Sequence, residues 1–172
     1  TGNEVLSKLT LARTRPREFA KLLEEHKNRF DPSNRNMYTT SDGKNVATRE
    51  GVAAVDEAIA YLRKQNPLSS LSFSSSLARS AKDHVSDLGP KGGLGHVGSD
   101  KSTSTQRMQR YSTVIFPSGE NIDYGSNTAL EIVMNLIIDD GVADRGHRTN
   151  IFNPEFKVVG IALGSHKQYA YM

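Results

Sequence analysis

The chain has 172 residues, with 22 lysines and arginines against 19 aspartates and glutamates, a net charge of +3, five histidines and no cysteine. That length predicts one domain over residues 1–172 with a core that needs no staples, and the missing cysteines exclude disulfides, a thiolate nucleophile and a cysteine zinc site. A small charge excess scattered in both signs gives no reason to expect a nucleic-acid partner.

In chain order, Leu6, Leu9 and Arg13 open a helical face that Thr14 and Pro16 interrupt. Pro16 suits the first position of a second helix, whose stripe is Phe19, Leu22 and Leu23. Arg13, Arg15 and Arg17 read as a solvated helix entry. Asp31 to Lys44 is polar and rich in turn formers, and reads as a loop. Thr48 is the expected cap of a helix carrying Val52, Val55, Ile59 and Leu62, which Pro67 ends. Ser74 to Ser76 offer a cap for the next helix, where Leu77, Ala81, His84 and Leu88 share a face and Gly89-Pro90 is the expected stop.

Gly92 to Asp100 is a glycine-rich loop, followed by a short helix over Thr105 to Tyr111 and a brief strand over Thr113 to Phe116. The clearest helix begins at Thr128, where Thr128 and Glu131 spell a capping box. Ile132, Val133, Leu136 and Ile137 form its buried face, and Gly141 follows as a stop. Val158 to Leu163 and Gln168 to Tyr171 read as a hairpin joined through Gly164 to Lys167. Helices and strands are segregated along the chain. That order predicts an α+β fold with helices packed on a small antiparallel sheet. The longest apolar stretch, Ile132 to Ile138, is too short to cross a bilayer. The chain opens Thr-Gly without an initiator Met, which predicts a processed or trimmed product, with removal of an export signal as one expected route.

The histidines carry most of the chemical interest. His26, beside Glu24 and Glu25, reads as solvated, and His166 as exposed in the hairpin turn. His84, on an apolar helix face, reads as a buried, hydrogen-bonded core residue. His96 and His147 differ, because each sits beside glycine, which lets the backbone aim a side chain into a cleft. Glu120 lies in a similar setting, in Gly119-Glu120-Asn121. Glu120 and His147 are either parts of one site or two unrelated turns. No H-E-x-x-H, G-x-S-x-G, P-loop or G-x-G-x-x-G pattern is present.

Six segments in order resemble the CAP superfamily, named for cysteine-rich secretory proteins, antigen 5 and pathogenesis-related plant proteins, and specifically its cysteine-free bacterial type. They are the R-x-x-P-x-x-F-A of Arg13, Pro16, Phe19 and Ala20; Ala81 to His84; G-H-x-G at Gly95 to Gly98; G-E-N-I at Gly119 to Ile122; G-H-R-x-N-I-F at Gly146 to Phe152; and V-V-G-I-A at Val158 to Ala162. The resemblance implies an α-β-α sandwich with an open cleft lined by two histidines and two acids. By position these are His96, Glu120, His147 and, for the second acid, Asp139, with Leu136 standing where the family carries a tryptophan. Glu131 competes for the acid's role, but the capping box already accounts for it. Asn121 and Asn150 are given supporting, backbone-bonding roles.

The resemblance further implies an extracytoplasmic protein, secreted or peripherally associated with the cell envelope and expected to be a monomer. Its expected role is ligand binding or interaction rather than catalysis, with a lipid, sterol, peptide or envelope protein as partner. No motif demands a cofactor. His96 and His147 are the residues that would bind Zn²⁺ or another divalent cation. Two alternatives stand beside this reading: a metal-dependent hydrolase of peptide or envelope substrates, and a structural envelope protein whose cleft is vestigial.

Overall fold

A computed structural model describes residues 1–40, 42–114 and 116–172. The fold is α+β. Its elements are α1 (Gly2–Thr14), α2 (Pro16–Lys27), β1 (Met37–Thr39), β2 (Asn45–Ala47), α3 (Val52–Lys64), β3 (Ser72–Phe73), α4 (Ser75–Lys91), α5 (Ser104–Gln109), α6 (Ala129–Ile138), α7 (Gly146–Ile151), β4 (Val158–Val159), β5 (Ser165–His166) and β6 (Ala170–Tyr171). Pro16 opens α2, as its fixed φ and missing N–H predict. Helix α2 packs on α3, α1 on α6, α4 on α5, and α6 on α7. The core joins Val5 and Leu9 of α1, Phe19 and Leu23 of α2, Val55 and Leu62 of α3, and Val133 and Ile137 of α6 to Ile151 and Phe152. Among the described residues no helix is long and apolar enough to cross a membrane.

Strand pairing is local and departs from the sequence reading. The segment Asp31 to Lys44, read as loop, contributes β1, which pairs antiparallel with β2. Strand β4 pairs in parallel with β3, not with the C-terminal strand. The hairpin is shorter than expected, with β5 against β6, and reciprocal Gly164 and Met172 backbone hydrogen bonds extend it. The strand expected over 113–116 includes position 115, which lies outside the described residues.

Helix ends show where tertiary partners overrule local signals. Ser74 and Thr128 cap α4 and α6 as expected, Thr128 with Glu131 in a full capping box. Helix α4 runs through Gly89 and Pro90 and stops instead at Gly92, whose left-handed φ of 70° turns the chain. Thr48 does not cap α3. Its hydroxyl donates to the Asn36 carbonyl, and α3 starts after Gly51 at φ 65°. The Asp140 carboxylate instead collects the N–H groups of Arg49 and Glu50.

Three side chains read as solvated are buried. Arg13 is fully buried and donates to the carbonyls of Ser69, Ile151, Asn153 and Phe156, tying α1 to the chain after α7. Its charge is satisfied by carbonyl dipoles rather than by water. His26 is packed edge-on against Phe30 and Tyr38. His166 scaffolds its own turn: Nε2 donates to the Gly93 carbonyl, while Nδ1 accepts from the N–H groups of Gln168 and Tyr169.

Candidate functional site

The loop carrying His96 is fixed from beneath. His84, buried on α4 as expected, donates from Nε2 to the Gly95 carbonyl at 2.8 Å, and the Gly95 N–H donates to the Tyr124 hydroxyl at 2.9 Å. The ring of His96 then reaches Glu120, with Nδ1 and Oε1 2.9 Å apart. A carboxylate only accepts, so Nδ1 carries the proton. In the neutral ring the Nε2 lone pair is therefore left for a ligand.

Glu120 has a second partner. Arg107, on α5, donates from Nη2 to both carboxylate oxygens at 2.9 and 2.8 Å. Its Nη1 holds the carbonyls of His96 and Ser102, so one guanidinium fixes both the acid and the histidine's backbone. Burial is the largest influence on Glu120 and favours protonation. The hydrogen bonds from His96 and Arg107, with the arginine's charge, outweigh it and hold the carboxyl below its ordinary range. Arg107 was not singled out by the sequence, where it is one arginine on a short polar helix. The available signal was indirect: a Glu beside glycine that is to be buried needs a cation, and Arg107 and Arg110 are close upstream.

The second pair forms where α6 ends. Asp139 takes the left-handed conformation, φ 58° and ψ 43°, which aspartate tolerates better than most residues. This turns its carboxylate back onto α7, where it accepts from the Nδ1–H of His147 at 2.6 Å and from the His147 N–H at 2.9 Å. Asp139 is buried. Its hydrogen bond to His147 raises the imidazole's pKa against the opposing effect of burial. Glu131, the competitor for the acid's place, accepts from the N–H groups of Asn127 and Thr128 in the helix cap.

The structure brings the two histidines together, with ring centroids 6.5 Å apart and planes at 35°. The His96 side chain is 50% exposed and that of His147 24%, so the space between them opens to solvent. Asn121 and Asn150 lie alongside. Asn121 donates to the His147 carbonyl at 3.0 Å, and Asn150 donates to the Asn121 side-chain oxygen at 2.8 Å. Together they clip the G-E-N-I segment to α7.

Two imidazoles, each with Nδ1 on a carboxylate, leave Nε2 as the nitrogen that could meet an ion, the donor chemistry of a divalent site with outer-shell carboxylates. Among the described residues no group of three or more His, Cys, Asp or Glu side chains is arranged to hold an ion. The protein's share of such a site is thus two nitrogens, and ligand or solvent would supply the rest.

Comparison with known proteins follows the same geography. The model of the cysteine-rich secretory protein family, CAP, matches residues 57–172, a stretch that contains both histidines, Glu120, Asp139 and Arg107. No curated protein and no solved structure matches the chain. With the family matched over well more than half of its length, the chain belongs to the cysteine-rich secretory protein, or CAP, family.

Proposed function

We propose that this CAP-domain protein works outside the cytoplasm, secreted or at the cell envelope, as a ligand-binding or interaction module. Its working surface is the cleft lined by His96, Glu120, Asp139 and His147. One observation carries the reading: two imidazole rings 6.5 Å apart, open to solvent, each held by a carboxylate through Nδ1. A carboxylate behind each ring fixes the tautomer, so each neutral ring keeps its lone pair on Nε2. Arg107 keeps Glu120 ionised and in place without entering the pair of rings itself.

His96 and His147 would hold a divalent cation such as Zn²⁺ through Nε2. A bound ion supplies Lewis acidity, which is the chemistry a hydrolase reading requires. Among the described residues no serine or threonine hydroxyl hydrogen-bonds to either ring, so a hydrolase reading would rest on ion-bound water rather than on a side-chain nucleophile.

A second observation favours an apolar ligand. Glu120 and Asn121 also line a large trough of about 1460 Å³, whose other walls include Val5, Leu77, Met108, Leu136 and Ile161. A space of that size with mainly apolar walls suits a lipid or sterol tail better than a short peptide.

Calorimetric titration with Zn²⁺ on the wild type and on the His96→Ala/His147→Ala variant tests the metal, with heat expected from the wild type alone. Mass spectrometry of an organic extract of the purified protein tests the lipid. A silent titration together with an empty extract would overturn the ligand-binding reading in favour of a structural envelope role.

A further inference from the structure

A second cavity, of about 290 Å³, adjoins His147 and Asp139 but not His96. Part of its wall belongs to the family-matched stretch, including Ile122, Asp123, Tyr124 and Asn135. The facing wall comes from His26, Phe30, Tyr38, Val46, Thr48 and Val55, all outside that stretch. The chain's own N-terminal half, with the β1–β2 hairpin, thus closes a space beside the family's histidine.

The polar groups of this cavity are not balanced internally. His26 is 5% exposed, and its Nδ1 has no hydrogen-bond partner among the described residues. Burial, with help from the nearby charge of Arg29, pushes its pKa down to about 4 against the pull of Glu131. The ring is therefore neutral near pH 7 and offers one lone pair and one N–H. A buried polar nitrogen without a hydrogen-bond partner is costly, so a donor that reached it would be favoured.

The fixed charge lining the cavity is negative, and His147, whose pKa is raised, lies on the same wall. The lining holds three carboxylates, Asp123, Asp139 and Asp140, and no lysine or arginine among the described residues. Asp139 is engaged by His147, and Asp140 by the amides of Arg49 and Glu50. Asp123 forms no ion pair among the described residues, and burial raises its pKa against the opposing influence of the neutral Ser126 and Asn135. On the opposite wall the Tyr38 phenol is shifted up by burial first and then by the charges of Glu131 and Asp123, with Arg29 pulling the other way. Phe30, Tyr38 and Tyr124 add aromatic surface.

We infer that this cavity binds a small organic cation with N–H donors and a flat apolar body, a protonated amine or amidine, through the His26 imidazole, the Asp123 carboxylate and the aromatic wall. An ammonium donates to the imidazole lone pair, balances the carboxylate and rests against the aromatic rings. Neutral or anionic ligands satisfy only part of this set. The site adjoins His147 and Asp139 of the open cleft but uses neither His96 nor Glu120.

The test is NMR titration of the ¹⁵N-labelled full chain near neutral pH with benzylamine and, in parallel, its neutral analogue benzyl alcohol. Benzylamine is expected to give saturable shifts at the amides of Tyr38, Thr48 and Asp123, with affinity about tenfold or more above that of benzyl alcohol. Asp123→Asn, which keeps the side chain's shape, and His26→Phe, which fills its space, are each expected to weaken binding by about tenfold. If His26→Phe does not fold, Asp123→Asn decides alone. His96→Ala is expected to leave benzylamine binding unchanged, which separates this site from the open cleft. No saturable shift by about 10 mM benzylamine, equal affinity for benzyl alcohol, or full binding by Asp123→Asn would overturn the inference.

Discussion

Asp139 accepts both the ring Nδ1–H and the backbone N–H of His147, at 2.6 and 2.9 Å. One carboxylate at the end of α6 therefore sets the position and the tautomer of the histidine on α7. The left-handed backbone of Asp139 makes both contacts reachable at once.

The first prediction concerns that pair. His147 has its folded pKa raised above the unfolded value, with the Asp139 hydrogen bond as the leading cause. The stability it contributes is full below the unfolded histidine pKa of about 6.5 and is lost as pH rises through the folded value. Asp139→Asn is expected to lower the His147 pKa in an NMR titration of ring protons. It should also flatten this part of the pH dependence of the denaturation midpoint. An unchanged His147 pKa would show that the pair is not formed in solution.

Glu120 gives the opposite sign. Its folded pKa is lowered, so its contribution is present above the unfolded value of about 4.3 and fades as pH falls through the folded value. Arg107→Met removes the two-pronged donor and leaves a buried carboxylate dependent on His96 alone. The expected cost is about 3 kcal/mol in urea denaturation near neutral pH. Adding Glu120→Gln to Arg107→Met should recover part of that loss, because an amide tolerates burial without a cation. Additive losses in the double variant would contradict the pairing.

Arg13 is a structural prediction. Arg13→Met keeps the apolar stem but strips donors from the carbonyls of Ser69, Ile151, Asn153 and Phe156. The Ile151 contact is buried and the other three are partly so, and the loss should be about 3 kcal/mol by chemical denaturation. Arg17→Met, four residues on at an exposed position, should change stability by less than about 0.5 kcal/mol.

Gly51 precedes α3 at φ 65°, and a Cβ there would lie 2.3 Å from the Arg35 carbonyl oxygen. Gly51→Ala adds a clash with backbone to an unfavourable conformation. It is expected to destabilise by more than about 1 kcal/mol. Gly43, also at positive φ but with open space around it, isolates the conformational part: Gly43→Ala should cost less in the same thermal melts.

Much of the cleft was legible as letters. His96 and His147 stood out because glycine flanked both, and the ordered G-H-x-G, G-E-N-I and G-H-R-x-N-I-F segments marked the family. Helix α6 could be read directly, since a capping box and an apolar stripe are local features satisfied within one element. The sequence alone also determined the absence of thiol chemistry and the α+β class.

Only tertiary structure decided the burial of Arg13, His26 and His166, the start of α3 at Gly51 with Asp140 holding the Arg49 and Glu50 amides before it, the parallel pairing of β3 with β4, and the role of Arg107. Each depends on partners far along the chain: Arg13 binds a carbonyl 138 positions away, and Arg49 is held by Asp140 across 91. Local propensity says what a residue can bond. Which donor, acceptor or ring packing reaches it first is settled when distant segments exclude water around it.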